Sequence, residues 1–180
     1  MRRLKETITD AYGRPLRNLR IAVTDECNYS CFFCHIEGDP VGSPRPVGRG
    51  RALMRADDYK VVARAAADLD IRSFKITGGE PLLRRDISDI VKSISEGAGA
   101  PVEISMTTNG YLLARVAARL REAGLSRVNV SLHSLNREHY RAITGVDGLD
   151  KVLEGLRAAR DAGLSVKVNV TVTNVNKDDV

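Results

Sequence analysis

Residues 123–131 read AGLSRVNVS, and residues 162–171 read AGLSVKVNVT. Each stretch places a glycine where a helix ends, followed by a short turn and by side chains that alternate between apolar and polar, as in a β-strand. Two near-copies of the same helix end, turn and strand indicate a repeated βα unit. The repeat predicts an α/β fold.

The same order of elements extends to both sides of the repeat. Strands are predicted at 19–24, 72–77, 102–107, 127–132 and 166–172, with apolar residues at helical spacing between them. Strictly alternating strands and helices predict parallel strands joined by right-handed crossovers. The sheet is then either an open doubly wound sheet or part of a (βα) barrel. We predict that residues 1–180 form one domain, and we expect this domain to be the N-terminal part of a longer protein.

Composition excludes some classes of function. The 180 residues carry a net charge of +5, and no run approaches the roughly 20 apolar residues that cross a bilayer. The basic N-terminus has no apolar stretch behind it, so we expect no secretory signal, no membrane partner and a cytoplasmic location. Residues 45–51 are basic but lack interleaved aromatic residues. They predict a solvated loop rather than a nucleic-acid contact.

Polar and apolar side chains alternate along every predicted strand, whereas the strands of a parallel sheet covered on both faces are usually apolar throughout. The apolar set can pack beneath the helices, so the polar set must share the opposite face. Because burying many unpartnered polar groups is costly, we expect that face to be wet or to hold a large polar ligand. Arg20, Lys75 and Lys167 outnumber Glu103 there, which favours an anionic ligand such as a phosphate ester. The alternative is an antiparallel sheet with one face in water.

All three cysteines follow the first predicted strand within eight residues, as Cys27, Cys31 and Cys34. In a cytosolic chain, clustered cysteines more often bind metal or perform redox chemistry than form disulfides. Three thiolates could hold three corners of an iron–sulfur cubane, which normally takes four cysteines. One iron would then be open to a small molecule. A zinc site completed by His35, or three structural cysteines, are the alternatives.

The spacing Cys27-x3-Cys31-x2-Cys34, followed by GGEP at residues 78–81, resembles the radical S-adenosylmethionine superfamily. Within it, the chain is similar to archaeal members of the GTP 3′,8-cyclase family, which begins molybdenum cofactor biosynthesis. The similarity extends over YGRP at 12–15, LRIAVT at 19–24, ITGGEPLLRRD at 76–86, TTNG at 107–110, VNVSL at 128–132, TGVDG at 144–148 and VKVN at 166–169.

The resemblance implies a partial TIM-type barrel that uses a [4Fe–4S] cluster and S-adenosylmethionine. In that superfamily the methionyl group chelates the open iron, and reductive cleavage of the cofactor gives a 5′-deoxyadenosyl radical that abstracts a substrate hydrogen. The cofactor carries the radical, so no side chain is assigned as catalytic. The expected partners are GTP, a low-potential electron donor and, in a homodimer, a second copy of the chain.

The same resemblance implies roles for individual residues. It assigns the metal ligands Cys27, Cys31 and Cys34, the cofactor contacts Phe33, Gly79 and Ser131, and the GTP contacts Arg20, Lys75, Thr107 and Lys167. Phe33 would lie by the adenine, and Gly79 would meet the methionyl amino group through its backbone. All four GTP contacts also belong to the polar face that strand alternation predicts.

Complete members of the family carry a C-terminal extension with three more cysteines, which bind a second cluster that holds the guanine base. The 180 residues contain no fourth cysteine. We therefore expect a fragment or a divergent member, and no GTP cyclisation by these residues alone. Two other functions stay open: a peptide-modifying or haem-maturing radical enzyme, and a non-catalytic zinc-binding module.

Overall fold

The computed structural model describes residues 7–34 and 54–179. His35 and the basic stretch 45–51, both considered above, lie outside the described residues. In chain order the elements are β1 (Asn18–Ala22), α1 (Ala56–Asp68), β2 (Ser73–Thr77), α2 (Ile87–Gly97), β3 (Glu103–Thr108), α3 (Ala117–Glu122), β4 (Arg127–Ser131), α4 (Arg137–Thr144), α5 (Leu149–Asp161) and β5 (Ser165–Asn169). Short 3-10 turns at Pro81–Leu83 and Leu113–Arg115 precede α2 and α3.

The five described strands form one parallel sheet in the order β1-β2-β3-β4-β5. A doubly wound sheet reverses its strand order, whereas a (βα) barrel adds each strand beside the previous one. Right-handed crossovers that all advance in one direction place their helices on one face of the sheet. The fold is therefore α/β, a partial TIM-type barrel with outer helices, and the antiparallel alternative is wrong.

One hydrophobic core lies between the sheet and the helices. The apolar side chains of the three inner strands are fully buried there, namely Phe74, Ile76, Ile104, Met106, Val128 and Val130. In α2, apolar residues recur every three or four positions, so that Ile87, Ile90 and Ile94 share a buried face. Among the described residues, no helix is long and apolar enough to cross a membrane.

The fifth strand is shorter than the predicted 166–172. Its ladder with β4 ends where Ser131 pairs with Asn169. Beyond that point, the backbone amide of Thr171 donates to the imidazole of His133. The other four strands lie within two residues of their predicted bounds. The imidazole of His133 thus takes the Thr171 amide in place of a strand partner. Alternation along the sequence does not predict this contact.

Candidate cofactor and substrate site

Loops at the C-terminal ends of the strands converge on one cavity, at the edge where active sites form in βα folds. The cavity has a volume of about 180 Å³. It is lined by Cys27, Tyr29, Cys31, Phe33, Cys34, Thr77, Gly78, Gly79, Thr107, Thr108, Asn109, Ser131, His133 and Thr171. A larger groove of about 480 Å³ lies between α1 and α2, but its lining contains no residue of a strand end. The cavity at the strand ends is therefore the candidate site.

The cysteine loop takes its shape from α4. The amides of Ser30 and Phe32 donate to the carbonyls of Thr144 and Ile143 at 3.1 and 3.2 Å. Both carbonyls belong to the last turn of α4, where backbone acceptors lack partners within the helix. The end of one helix thus positions the loop that carries the cysteines.

A buried tyrosine pair fixes the same loop from a second side. The hydroxyls of Tyr29 and Tyr140 are 2.8 Å apart, and their rings meet edge to face with centroids 6.4 Å apart. Burial raises the pKa of Tyr29 above its ordinary value and raises the pKa of Tyr140 to about 12. Both hydroxyls therefore stay protonated at neutral pH, so that one donates to the other.

The three cysteine thiols are partly buried, and none of them is in a disulfide. The Cys34 amide donates to the Cys31 carbonyl at 2.9 Å, and the Tyr29 amide donates to Cys27 Sγ at 3.5 Å. A donor directed at sulfur favours the thiolate, which is the form that binds metal.

The three thiols suit a metal cluster better than a single metal ion. Within residues 7–34 and 54–179, no three His, Cys, Asp or Glu side chains are arranged to hold a single metal ion. The cysteines that hold a cubane bind different irons, so they need not converge on one point. Three thiols around one cavity fit the donor set of such a cluster.

The loop after β2 lies directly against the start of the cysteine loop. Gly78 has a φ of 151°, and a Cβ at this position would lie 2.4 Å from the carbonyl oxygen of Thr24. Only glycine permits this approach. The amides of Gly79 and Glu80 donate to the carbonyls of Thr24 and Glu26 at 2.8 and 2.7 Å. Because the Gly79 amide is engaged and an ammonium group only donates, a ligand amine would meet Gly79 at its carbonyl oxygen.

Glu80 joins this loop to the end of β3 and is only 1% exposed. Its carboxylate accepts from the Leu82 amide at 3.0 Å, the Asn109 amide at 2.7 Å and the Thr108 hydroxyl at 2.7 Å. A buried carboxylate is costly unless hydrogen bonds of this kind satisfy it. The sequence pattern alone predicts no role for Glu80. The signal that could have indicated its burial is an acidic residue directly before the apolar Pro81 and Leu82.

Strand register brings the predicted cations together on the polar face. Arg20 is the neighbour of Lys75 across β1 and β2, and Lys167 is the neighbour of Asn129 across β4 and β5. Burial lowers the pKa of Lys75, and the charges of Arg20, Lys167 and Arg127 lower it further. Four cations therefore crowd one region of this face. Arg127 lies two residues before Asn129 along β4 and therefore on the same face, so the alternation that identified the other three also marks it.

Two buried polar atoms on this face have no hydrogen-bond partner among the described residues, Thr107 Oγ1 and Arg127 Nε. Another nitrogen of Arg127, Nη2, forms an ion pair of 2.7 Å with Glu103. Unsatisfied buried polar atoms are rare in folded proteins and call for a specific explanation, of which a bound ligand is one. Thr107 also lines the cavity.

Most of the site residues that the sequence predicts are brought together. The cavity is lined by Cys27, Cys31, Cys34, Phe33, Gly79, Thr107 and Ser131. Arg20, Lys75 and Lys167 lie outside that lining but close to one another. The placement is observed, whereas the role of each residue stays a prediction.

A barrel of this order with three thiols at its C-terminal edge defines a class of enzyme. The model of the radical SAM superfamily matches residues 21–180. The chain belongs to the radical SAM superfamily, and its cofactors are that superfamily's [4Fe–4S] cluster and S-adenosylmethionine.

Two curated relatives of this chain carry the name probable GTP 3′,8-cyclase. The chain is 43% identical over 176 residues to a probable GTP 3′,8-cyclase of Metallosphaera sedula, covering 94% of this chain and 51% of the relative. It is 48% identical over 165 residues to a probable GTP 3′,8-cyclase of Aeropyrum pernix, covering 92% of this chain and 45% of the relative. The chain spans about half the length of the curated relatives it matches.

Solved structures support the fold. Streptococcus suis SuiB bound to its precursor peptide SuiA superposes with a TM-score of 0.72 at 22% identity, over 91% of this chain and 34% of that one. Native anSMEcpe with bound AdoMet gives a TM-score of 0.71 at 19% identity, over 89% of this chain and 46% of that one. At these identities the likeness shows the fold alone.

Proposed function

We propose that this chain forms the radical core of a GTP 3′,8-cyclase, which converts GTP to (8S)-3′,8-cyclo-7,8-dihydroguanosine 5′-triphosphate in molybdenum cofactor biosynthesis. The main support is that Arg20, Lys75 and Lys167 crowd the same sheet face whose C-terminal edge carries the three thiols. The names of relatives at 43% and 48% identity support the substrate.

The cofactor half of the site lies at the strand ends. Cys27, Cys31 and Cys34 would hold the cluster, and its remaining iron would be open to S-adenosylmethionine. Phe33 and Ser131 would contact the nucleoside, while the Gly79 carbonyl would accept from the methionyl ammonium. When bound, the two cofactors supply a carbon radical that abstracts a hydrogen from the substrate. The protein orients the cofactors and shields them from water.

The substrate half uses the cation cluster. In the absence of a ligand these cations repel one another, which is one reason why the pKa of Lys75 is lowered. A triphosphate would replace this repulsion with charge-assisted hydrogen bonds to Arg20, Lys75 and Lys167. The buried Thr107 hydroxyl, which has no partner among the described residues, would then bond to the substrate.

The complete cyclisation needs more than these residues in our proposal. Because residues 1–180 span about half of the relatives' length, guanine recognition and a second cluster are assigned to the family's C-terminal extension. A low-potential donor would reduce the first cluster. We expect residues 1–180 alone to bind cluster, S-adenosylmethionine and triphosphate without forming cyclised product.

Anaerobic reconstitution with iron and sulfide tests the cofactor half. We expect a brown chain with about four irons, and a visible spectrum that changes when S-adenosylmethionine is added. Cys31→Ala should lose the iron, because two thiolates cannot hold the cluster, whereas Ser30→Ala in the same loop should retain it. One tightly held zinc and a colourless chain would reject the cofactor half.

Equilibrium binding of GTP and guanosine to the reconstituted chain tests the substrate half. GTP should bind at least about tenfold more tightly, because only its phosphates reach the cations. Lys75→Met should remove most of this preference, whereas Lys92→Met, on the outer face of α2, should leave it intact. Equal affinities for GTP and guanosine would exclude a triphosphate site and favour a peptide-modifying enzyme.

A further inference from the structure

His133 lines the cavity together with Ser131 and Phe33, but the resemblance assigns it no role. His133 is buried, with only 5% of its surface exposed. The imidazole meets the Phe33 ring nearly at right angles, with centroids 4.9 Å apart and planes inclined at 78°. The two rings therefore form a corner of the cavity, a shape that suits a flat base with polar edges.

One hydrogen bond determines which nitrogen of His133 carries the proton. The Thr171 amide donates to His133 Nδ1 at 3.1 Å. A neutral imidazole has one donor and one acceptor nitrogen, so the hydrogen must be on Nε2. Burial also lowers the pKa of His133, which favours the neutral ring. His133 Nε2 is thus a hydrogen-bond donor.

The segment after β5 keeps this arrangement in place. Asn176 is fully buried, and its side-chain amide donates to the carbonyls of His133 at 2.5 Å and Thr171 at 3.0 Å. Its side-chain oxygen accepts from the Thr173 amide at 2.6 Å. Because Asn176 binds both carbonyls, it holds the Thr171 amide in position against the imidazole.

We propose that His133 binds the nucleoside part of S-adenosylmethionine by donating a hydrogen bond from Nε2. The ring nitrogens of adenine and the ribose oxygens are acceptors, and they match a donor beside the Phe33 ring. This inference rests on the proposed cofactor site and adds a specific contact to it.

Two substitutions separate this role from a purely structural one. The amide nitrogen of glutamine reaches about as far as Nε2, whereas the amide oxygen of asparagine reaches about as far as Nδ1. His133→Gln therefore keeps a donor in the cavity and loses the acceptor for Thr171. His133→Asn keeps that acceptor and loses the donor.

The test measures dissociation constants for S-adenosylmethionine and 5′-deoxyadenosine with the reconstituted full chain. His133→Asn should weaken both by roughly two- to tenfold, the loss typical of one hydrogen bond. His133→Gln should bind both more tightly than His133→Asn does, although its melting temperature should be the lower of the two. Iron content should match that of the unmodified chain.

The proposal is overturned if His133→Asn binds 5′-deoxyadenosine as the unmodified chain does, or if both variants lose affinity equally. Because 5′-deoxyadenosine lacks the methionyl group that chelates iron, its binding reports on His133 even in the iron-free chain. Failure of the unmodified chain to take up iron would instead overturn the proposed function, so the two failures are distinguishable.

Discussion

The hydroxyl of Thr108 donates a hydrogen bond of 2.7 Å to the buried carboxylate of Glu80. This contact joins the glycine-rich loop after β2 to the end of β3. The adjacent Thr107 has a buried hydroxyl that finds no partner in the described part of the chain. Successive strand residues point to opposite faces. Both threonines line the cavity, but the Thr108 hydroxyl holds the loop, whereas the Thr107 hydroxyl lies on the polar face.

Thr107→Val and Thr108→Val should therefore have opposite effects. Thr108→Val removes a bond to a buried carboxylate and should lower the free energy of unfolding by about 1–3 kcal/mol. Thr107→Val removes a hydroxyl without a partner, so the free energy of unfolding should hold or rise while GTP affinity falls. Urea denaturation and equilibrium binding check the pair. Loss of stability in Thr107→Val with unchanged GTP affinity would contradict the assignment.

Glu80→Gln should destabilise the fold by about 1–3 kcal/mol. Each carboxylate oxygen accepts a hydrogen bond from a backbone amide, one from Leu82 and the other from Asn109. The NH2 group of a carboxamide would therefore face one of these two donors. Glu96→Gln is the matched control, because Glu96 is half exposed and its pair with Lys60 at 3.1 Å is a surface salt bridge, which contributes little to stability. If urea denaturation showed the same loss of unfolding free energy for both variants, the hydrogen bonds of Glu80 would not be needed for stability.

Gly78→Ala should abolish S-adenosylmethionine binding and cost well over about 2 kcal/mol, since the new Cβ would meet the Thr24 carbonyl oxygen at 2.4 Å. Gly13→Ala is its control. Gly13 also has a positive φ, of 75°, but nothing lies within 4 Å of the position of a Cβ, so only the backbone strain of about 1–2 kcal/mol is expected. Thermal unfolding and cofactor titration distinguish the two, and a Gly78→Ala chain with normal affinity would contradict the close packing of the two loops.

The pH dependence of stability should change in Lys75→Met. The folded chain holds the pKa of Lys75 below its ordinary value, chiefly through burial and then through Arg20, Lys167 and Arg127. Between that lowered pKa and the ordinary one, the unfolded chain binds more protons, so stability rises with pH in this window. Lys75→Met should lack this rise and should be at least as stable at neutral pH. Parallel pH profiles for the two chains in thermal unfolding would refute the lowered pKa of Lys75.

Much of the fold could be predicted because its signals are local. Alternation in β2, β3 and β4 separated the buried Phe74 and Ile104 from the polar face, and glycines at 124 and 163 marked two helix ends with positive φ. The spacing of Cys27, Cys31 and Cys34 predicted their shared cavity. The contacts that hold the cavity together join residues far apart in the chain, as Glu80 joins Thr108 and as Asn176 joins His133. No local pattern encodes such pairs.

The amino-acid sequence by itself determined the α/β class, the polar face and the three-thiol loop, because periodicity, turn residues and ligand spacing are properties of neighbouring positions. Only the tertiary structure decided between a doubly wound sheet and a barrel, since strand order depends on how the crossovers pack. It also decided that α4 shapes the cysteine loop and that His133 presents Nε2 as a donor. Those features come from hydrogen bonds between distant backbone segments, which exist only once the sheet has formed.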